Sequence, residues 1–195
     1  MSTTLTCSVD AEMQSSNPTT NYGTETTLQV GEYKSAVGDY YRSLLKFDLT
    51  SLAGKTVGTA TLFLKDTGAN YSDNERTMRA YRVLRAWTEA GVTWNTYNGS
   101  NAWGTAGCAN TSSDREATDI GTITMPATET TNWYSFVLTP SAVQGWIDGT
   151  LTNNGLLLQM DTETDDEHAF ASSDSAGNEP YLVITEASSG FFALL

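Results

Sequence analysis

A single histidine, two distant cysteines, five tryptophans and a dense run of acids are the residues of this 195-residue sequence whose types could do chemistry. His168 stands in Asp166-Glu167-His168-Ala169-Phe170, at the start of a predicted strand, and is expected at the surface beside its neighbouring carboxylates. There is no Gly-x-Ser-x-Gly elbow, phosphate-binding glycine loop or metalloprotease motif to recruit it. A glycosidase needs two carboxylates facing each other across a cleft, and no spacing among the 23 acids singles out such a pair. The residues read as those of a protein that is not an enzyme.

The run Asp161-Thr162-Glu163-Thr164-Asp165-Asp166-Glu167 holds the densest negative charge. Ca²⁺ is bound by several oxygen ligands at once, so Asp161 and Asp165 are the residues that would hold a structural Ca²⁺. EF-hand spacing is missing, and a solvated acidic loop is the plainer reading; no other cofactor is implied. Cys7 and Cys108 lie far apart in sequence and fit no zinc or redox spacing, and they read as two buried thiols rather than a disulfide.

Sugar-binding modules use exposed aromatic rings flanked by hydrogen-bonding side chains. Tyr97, Trp103 and Trp133, with Tyr71 behind them, are the candidates here, the alternative for each being ordinary packing. The pair Trp87 and Trp94 is expected to pin a loop onto the domain. The chain closes on Phe191-Phe192-Ala193-Leu194-Leu195, after the spacer Ala187-Ser188-Ser189-Gly190. An apolar end of this kind suits a docking peptide, with Phe191, Phe192, Leu194 and Leu195 as its contacts, or else a tail folded back on its own domain.

Composition sets the surroundings of these residues. With 23 acids against 10 bases the formal net charge is −13, which repels phosphate backbones and anionic lipid; neither nucleic acid nor membrane is an expected partner. No stretch approaches the ~20 apolar residues of a membrane span. Short apolar-alternating runs punctuated by Gly, Asn, Asp and Ser predict an all-β chain, with strands over 5–9, 26–30, 40–47, 57–65, 77–83, 133–138, 155–160, 169–172 and 181–185. The continuous apolar run at 181–185 predicts a strand buried on both faces. Leu45, Phe47 and Leu49 should share one face. Thr139, Pro140 and Gly149 frame one short helix whose Val143, Trp146 and Ile147 form an apolar stripe. Residues 95–131 read as a long polar loop, the part of the chain most at liberty to make contacts.

Several stretches in order carry a resemblance. Asp10-Ala11 precedes Asn17-Pro18-Thr19-Thr20-Asn21-Tyr22-Gly23 and Leu28-Gln29-Val30-Gly31. Then come Arg42-Ser43-Leu44-Leu45-Lys46-Phe47-Asp48-Leu49, Val57-Gly58-Thr59-Ala60-Thr61-Leu62, Tyr81-Arg82-Val83 and Trp87-Thr88-Glu89-Ala90-Gly91-Val92-Thr93-Trp94-Asn95. Val143-Gln144-Gly145-Trp146, Asn154-Gly155-Leu156-Leu157-Leu158, Phe170-Ala171-Ser172 and Pro180-Tyr181-Leu182 complete the series. Together they resemble the DNRLRE domain of secreted bacterial proteins, which overlaps a family of carbohydrate-binding modules found with alginate-degrading enzymes. The resemblance implies a jelly-roll-like antiparallel β-sandwich over residues 1–186, without catalytic residues of its own.

Two functions follow as expectations. Met1 opens directly onto strand-like sequence with no basic and apolar leader, and with the apolar tail of residues 187–195 this suggests a display protein of a bacteriophage particle: a capsid decoration, head-fibre or tail-associated adhesion module. It would be assembled in the host cytoplasm and docked on a major capsid or other virion protein, or on itself as a homo-oligomer. The alternative is a carbohydrate-binding module of a secreted protein, with a polysaccharide as its partner.

Overall fold

The computed structural model describes residues 1–33, 38–69, 71–128 and 130–188. They form an all-β antiparallel sandwich with one short helix. Strands β1 (Ser2–Thr6), β2 (Val9–Gln14), β3 (Thr27–Glu32), β4 (Tyr40–Lys46) and β5 (Val57–Lys65) come first, followed by β6 (Arg76–Val83), β7 (Arg115–Met125) and β8 (Trp133–Leu138). Helix α1 (Pro140–Asp148) precedes β9 (Leu156–Met160), β10 (Glu167–Ala171) and β11 (Tyr181–Glu186).

Two sheets result. The smaller has the order β1-β11-β5-β8; the larger runs β10-β3-β4-β9-β6-β7, with β2 added to β4. Between them lies the main core, to which the small sheet gives Ala60, Leu62, Leu64, Phe136, Leu138, Leu182 and Ile184, and the large sheet Leu28, Val30, Leu45, Met78, Leu158 and Phe170. Leu45, Phe47 and Leu49 all enter this core, as their spacing predicts. Helix α1 adds Val143 and Trp146. It begins after Thr139 in extended backbone, with Pro140 at its first turn, and ends at Gly149 in the left-handed region, a conformation that glycine adopts without cost.

The large sheet carries a second core on its other face. Ala11, Met13, Leu44 and Leu157 from β2, β4 and β9 meet Trp87, Val92, Trp103 and Cys108 from the connection between β6 and β7. That connection, residues 84–114, is a packed cap. Trp87 is buried and its indole N–H donates to the Asn154 carbonyl at 2.8 Å, so it does pin a loop, while half-buried Trp94 stacks on Tyr40. At Gly107 (φ +72°) a Cβ would stand 2.7 Å from the Trp94 ring, a place only glycine fits.

Three expectations change. The stretch 95–131 is not one polar loop: its first part completes the cap and its second is β7, an edge strand of eleven residues paired with β6. Its alternation is obscured by register shifts around Tyr81, and threonines occupy its outer positions. The strand expected at 5–9 is two strands that part at Cys7 and Ser8 and join different sheets. Strand β11 is not buried on both faces. It alternates, with Leu182 and Ile184 inside and Thr185 exposed. Doubly buried character belongs to β4, which has the main core on one side and the cap on the other.

Candidate functional site

Among the described residues, the two large aromatics left most open are Tyr71, 48 % exposed, and Trp133, 41 % exposed. Trp133 has the richer setting. Strand alternation sends Leu62 and Leu64 of β5, Leu182 of β11 and Phe136 of β8 into the core, so the residues between them face outward. On this outer face Tyr181 lies opposite Phe63, and Phe63 opposite Ser135; one row further along, Lys65 lies opposite Trp133. Phe63 and Tyr181 stack with ring centroids 4.7 Å apart and planes at 10°. Trp133 tilts onto Tyr181 at 5.1 Å and 60°. The Lys65 ammonium stands 6.0 Å from the Trp133 ring centre and donates to the Thr131 carbonyl.

The arrangement is a rigid aromatic corner on a solvent-facing sheet. Phe63 and Tyr181 spend a face each on one another and brace the indole, whose remaining surface is open. Next to it along the strands, Val183 lies opposite Thr4 and Thr61, and Thr61 opposite Val137, which is 67 % exposed. Such a surface offers an apolar ring for the C–H face of a sugar and hydroxyls beside it for hydrogen bonds.

The other sequence candidates fall elsewhere. Trp103 is only 5 % exposed and donates its indole N–H to the Thr93 carbonyl at 3.0 Å. Tyr97 packs on it at 5.6 Å, with the Arg85 guanidinium 5.3 Å from the Tyr97 ring centre. As a pair they build the cap's interior, and Trp103, buried and with its N–H taken up, presents no open ring face to a sugar. Tyr71 meets Tyr33 edge-on at 5.7 Å and belongs to the β10 side of the molecule through backbone pairing with Glu167. Residues Phe191, Phe192, Leu194 and Leu195 lie outside the described residues.

The acidic run is not simply a solvated loop. Glu163 receives both Nε and Nη2 of Arg42, at 2.8 and 2.7 Å. Asp166 is fully buried, paired with Arg76 at 2.6 Å, and accepts the backbone N–H groups of Asp73 and Asn74. Asp161 faces Arg79 at 3.9 Å, whereas Asp165 takes a positive φ of 54° and gives its N–H to Glu32. Among the described residues no group of three or more His, Cys, Asp or Glu is placed to hold a metal ion. His168 is not a surface residue: β10 is buried along its whole length, and the imidazole lies inside, stacked near Phe170 with Nδ1 3.5 Å from Asp66. Both cysteines are free and buried, and burial pushes both thiols well above their ordinary range. Among the described residues no helix is long and apolar enough to cross a membrane.

What sequence reasoning missed is that Trp133 acts with Phe63 and Tyr181. Alternation puts Phe63 between inward Leu62 and Leu64 and Tyr181 before inward Leu182, but only the register of β5 with β11 and β8 brings the three rings together.

A β-sandwich with a braced, exposed tryptophan on one sheet has the form of a sugar-holding module. The family model of carbohydrate-binding module family 96 matches residues 1–186, and the chain belongs to that family. Among curated proteins, none matches the chain. Membership favours the polysaccharide expectation over the virion display one.

Proposed function

We propose that this chain is a non-catalytic module that holds polysaccharide on the outer face of its four-stranded sheet, with the Trp133 indole as the stacking ring and Tyr181 and Phe63 as its brace. The observation that carries the reading is the 41 % exposure of a tryptophan fixed at 5.1 Å from Tyr181 on an otherwise ordered sheet. A ring already held in one orientation loses little freedom when a sugar arrives, so more of the stacking energy survives as affinity.

The test is retention in affinity gels cast with polysaccharide. Trp133→Ala should weaken retention by about ten-fold or more, the equivalent of roughly 1.4 kcal/mol, with an unchanged far-UV spectrum and melting temperature because the ring is a surface group. Tyr71→Ala, removing the other exposed aromatic among the described residues, should bind as the wild type does. Loss of binding in Tyr71→Ala with full retention in Trp133→Ala would move the site to the β10 side.

A further inference from the structure

A cavity of about 510 Å³ opens beside helix α1 and the segment that joins β4 to β5. Its apolar wall is Val9, Phe47, Leu49, Ala53, Trp146 and Ile147, a size and a lining typical of binding sites. Trp146 also brings an unspent donor. It is 8 % exposed, and its shielded indole N–H meets no acceptor among the described residues. Buried indoles ordinarily find one, as Trp87 and Trp103 do at the carbonyls of Asn154 and Thr93. An occupant suited to this cavity therefore combines large apolar groups with a carbonyl oxygen, which is the chemistry of an apolar peptide.

The chain carries such a peptide close by. Strand β11 runs antiparallel to β5, from Tyr181 opposite Phe63 to Glu186 opposite Val57, and the Ala187 N–H donates to the Thr56 carbonyl at 2.9 Å. Glu186 is tied to Lys55 at 3.3 Å. The same direction points from Thr56 through Lys55 and Gly54 to Ala53 on the cavity wall. A Cβ at Gly54 would meet nothing within 4 Å among the described residues, so the way is open. Three residues separate Thr56 from Ala53, at most about 11 Å of chain, and four separate Ala187 from Phe191, at most about 14 Å. Phe191-Phe192-Ala193-Leu194-Leu195 thus begins within reach of the cavity.

We propose that this cavity is a docking site for the run Phe191–Leu195 of the same chain, with a main-chain carbonyl of the run accepting the Trp146 indole N–H. Five consecutive apolar residues left in water would form an exposed patch; seated here, their side chains meet apolar walls and the buried donor gains its acceptor. A segment joined by a short linker has an effective concentration on the order of millimolar, which favours the chain's own run over that of a second copy. Sugar binding at Trp133 neither requires this docking nor prevents it.

Two measurements on the full chain test it. Phe192 is replaced by the photoreactive p-benzoylphenylalanine, and the irradiated protein is digested and read by mass spectrometry. The expected links join residue 192 to the 47–53 segment or to Trp146 and Ile147, at the mass of a single chain. Links that appear only at twice that mass would give the run to a second copy, and links elsewhere or none at all would remove the cavity as its site; either overturns the proposal. The second measurement plugs the cavity from its rim. Ala53 is exposed, so Ala53→Trp should keep the far-UV spectrum and melting temperature while displacing the run. Chymotrypsin cleavage after Phe191 or Phe192 tracks the undocked population and should rise about ten-fold in this variant over wild type. Equal cleavage rates in the two proteins would overturn the docking.

Discussion

The two sheets of this sandwich treat their outer faces in opposite ways. The seven-stranded sheet hides its face beneath the cap of residues 84–114, whose Trp87, Trp103 and Cys108 pack on Leu44 and Leu157. The four-stranded sheet leaves its face open, with Val137 and Trp133 in solvent. Both faces carry tryptophan, so residue type does not distinguish them. What differs is the fate of the indole N–H and the rings around it. Trp87 donates to the Asn154 carbonyl just before β9 and Trp103 to the Thr93 carbonyl inside the cap, which fits rings that are part of the wall, whereas Trp133 is braced from behind by other aromatics and presents its surface outward.

The sharpest way to break the comparison is to truncate one tryptophan on each side. Trp103→Ala removes a buried ring and strands the Thr93 carbonyl, and should cost about 3–5 kcal/mol of folding stability. Polysaccharide retention, measured well below the melting point, should stay at wild-type strength because the cap lies on the opposite face. Trp133→Ala should do the reverse: nearly unchanged stability and lost retention. Denaturant unfolding and affinity gels run on both variants check the pair; retention lost in Trp103→Ala would place sugar on the cap.

The cap has a second dependency, on one carboxylate. Asp114 is fully buried and accepts N–H groups from Gly104 and Thr105 at 2.8 and 2.9 Å and from Asn110 at 3.2 Å, together with the Ser113 hydroxyl at 3.0 Å. Burial alone would raise its pKa, but the donors from Thr105, Gly104, Asn110 and Ser113 outweigh it and hold the carboxyl below the ordinary aspartate range. Asp114→Ala leaves these donors unpaired in the interior and should cost about 3 kcal/mol, again with retention intact. Urea titration measures it, and a loss below about 1 kcal/mol would mean that the cap closes without this acid.

Much of the sandwich was legible because its signals are local. Strands β5 and β8 and helix α1 follow from alternation, from Pro140 and from Gly149, and the structure keeps them to the residue or nearly so. The cap was not legible. Its order comes from groups far apart in sequence, such as Arg42 donating to the Gly107 carbonyl and Asn21 donating to the carbonyls of Glu89 and Val92, and a polar composition cannot announce that its polar groups will find one another. The same blindness hid His168 and Asp166, whose burial depends on β10 being covered on both sides. On the site, Trp133 was legible as an aromatic at a strand start, but its brace was not, because Phe63 and Tyr181 meet only through the register of β5 with β11.

The smallest of the three effects separates the two sheets by pH. On the large sheet Glu12 is buried, and desolvation raises its pKa from the ordinary 4.5 to about 7, despite the Gln14 amide and the Gln29 N–H that it accepts at 2.6 and 2.7 Å. Asp10, on the same strand, is raised by burial from 3.8 to about 6, against the opposing bond from the Ser173 N–H. A carboxyl whose folded pKa lies above its unfolded one binds its proton more tightly in the folded state. Its contribution to stability is therefore complete below the unfolded pKa and is lost as pH rises through the folded one. For Glu12 the window runs from 4.5 to about 7, and the loss across it is on the order of 2–3 kcal/mol. Stability should thus fall from pH 5 to pH 8, whereas the outward positions around Trp133 carry no acid to titrate and retention should stay level. Glu12→Gln, a neutral isostere, should flatten the stability slope over that window and leave the protein at least as stable as wild type at pH 8. Thermal melts of both proteins across the range decide it: parallel curves would mean that Glu12 is ionised at no cost in the folded chain and that the slope has another source.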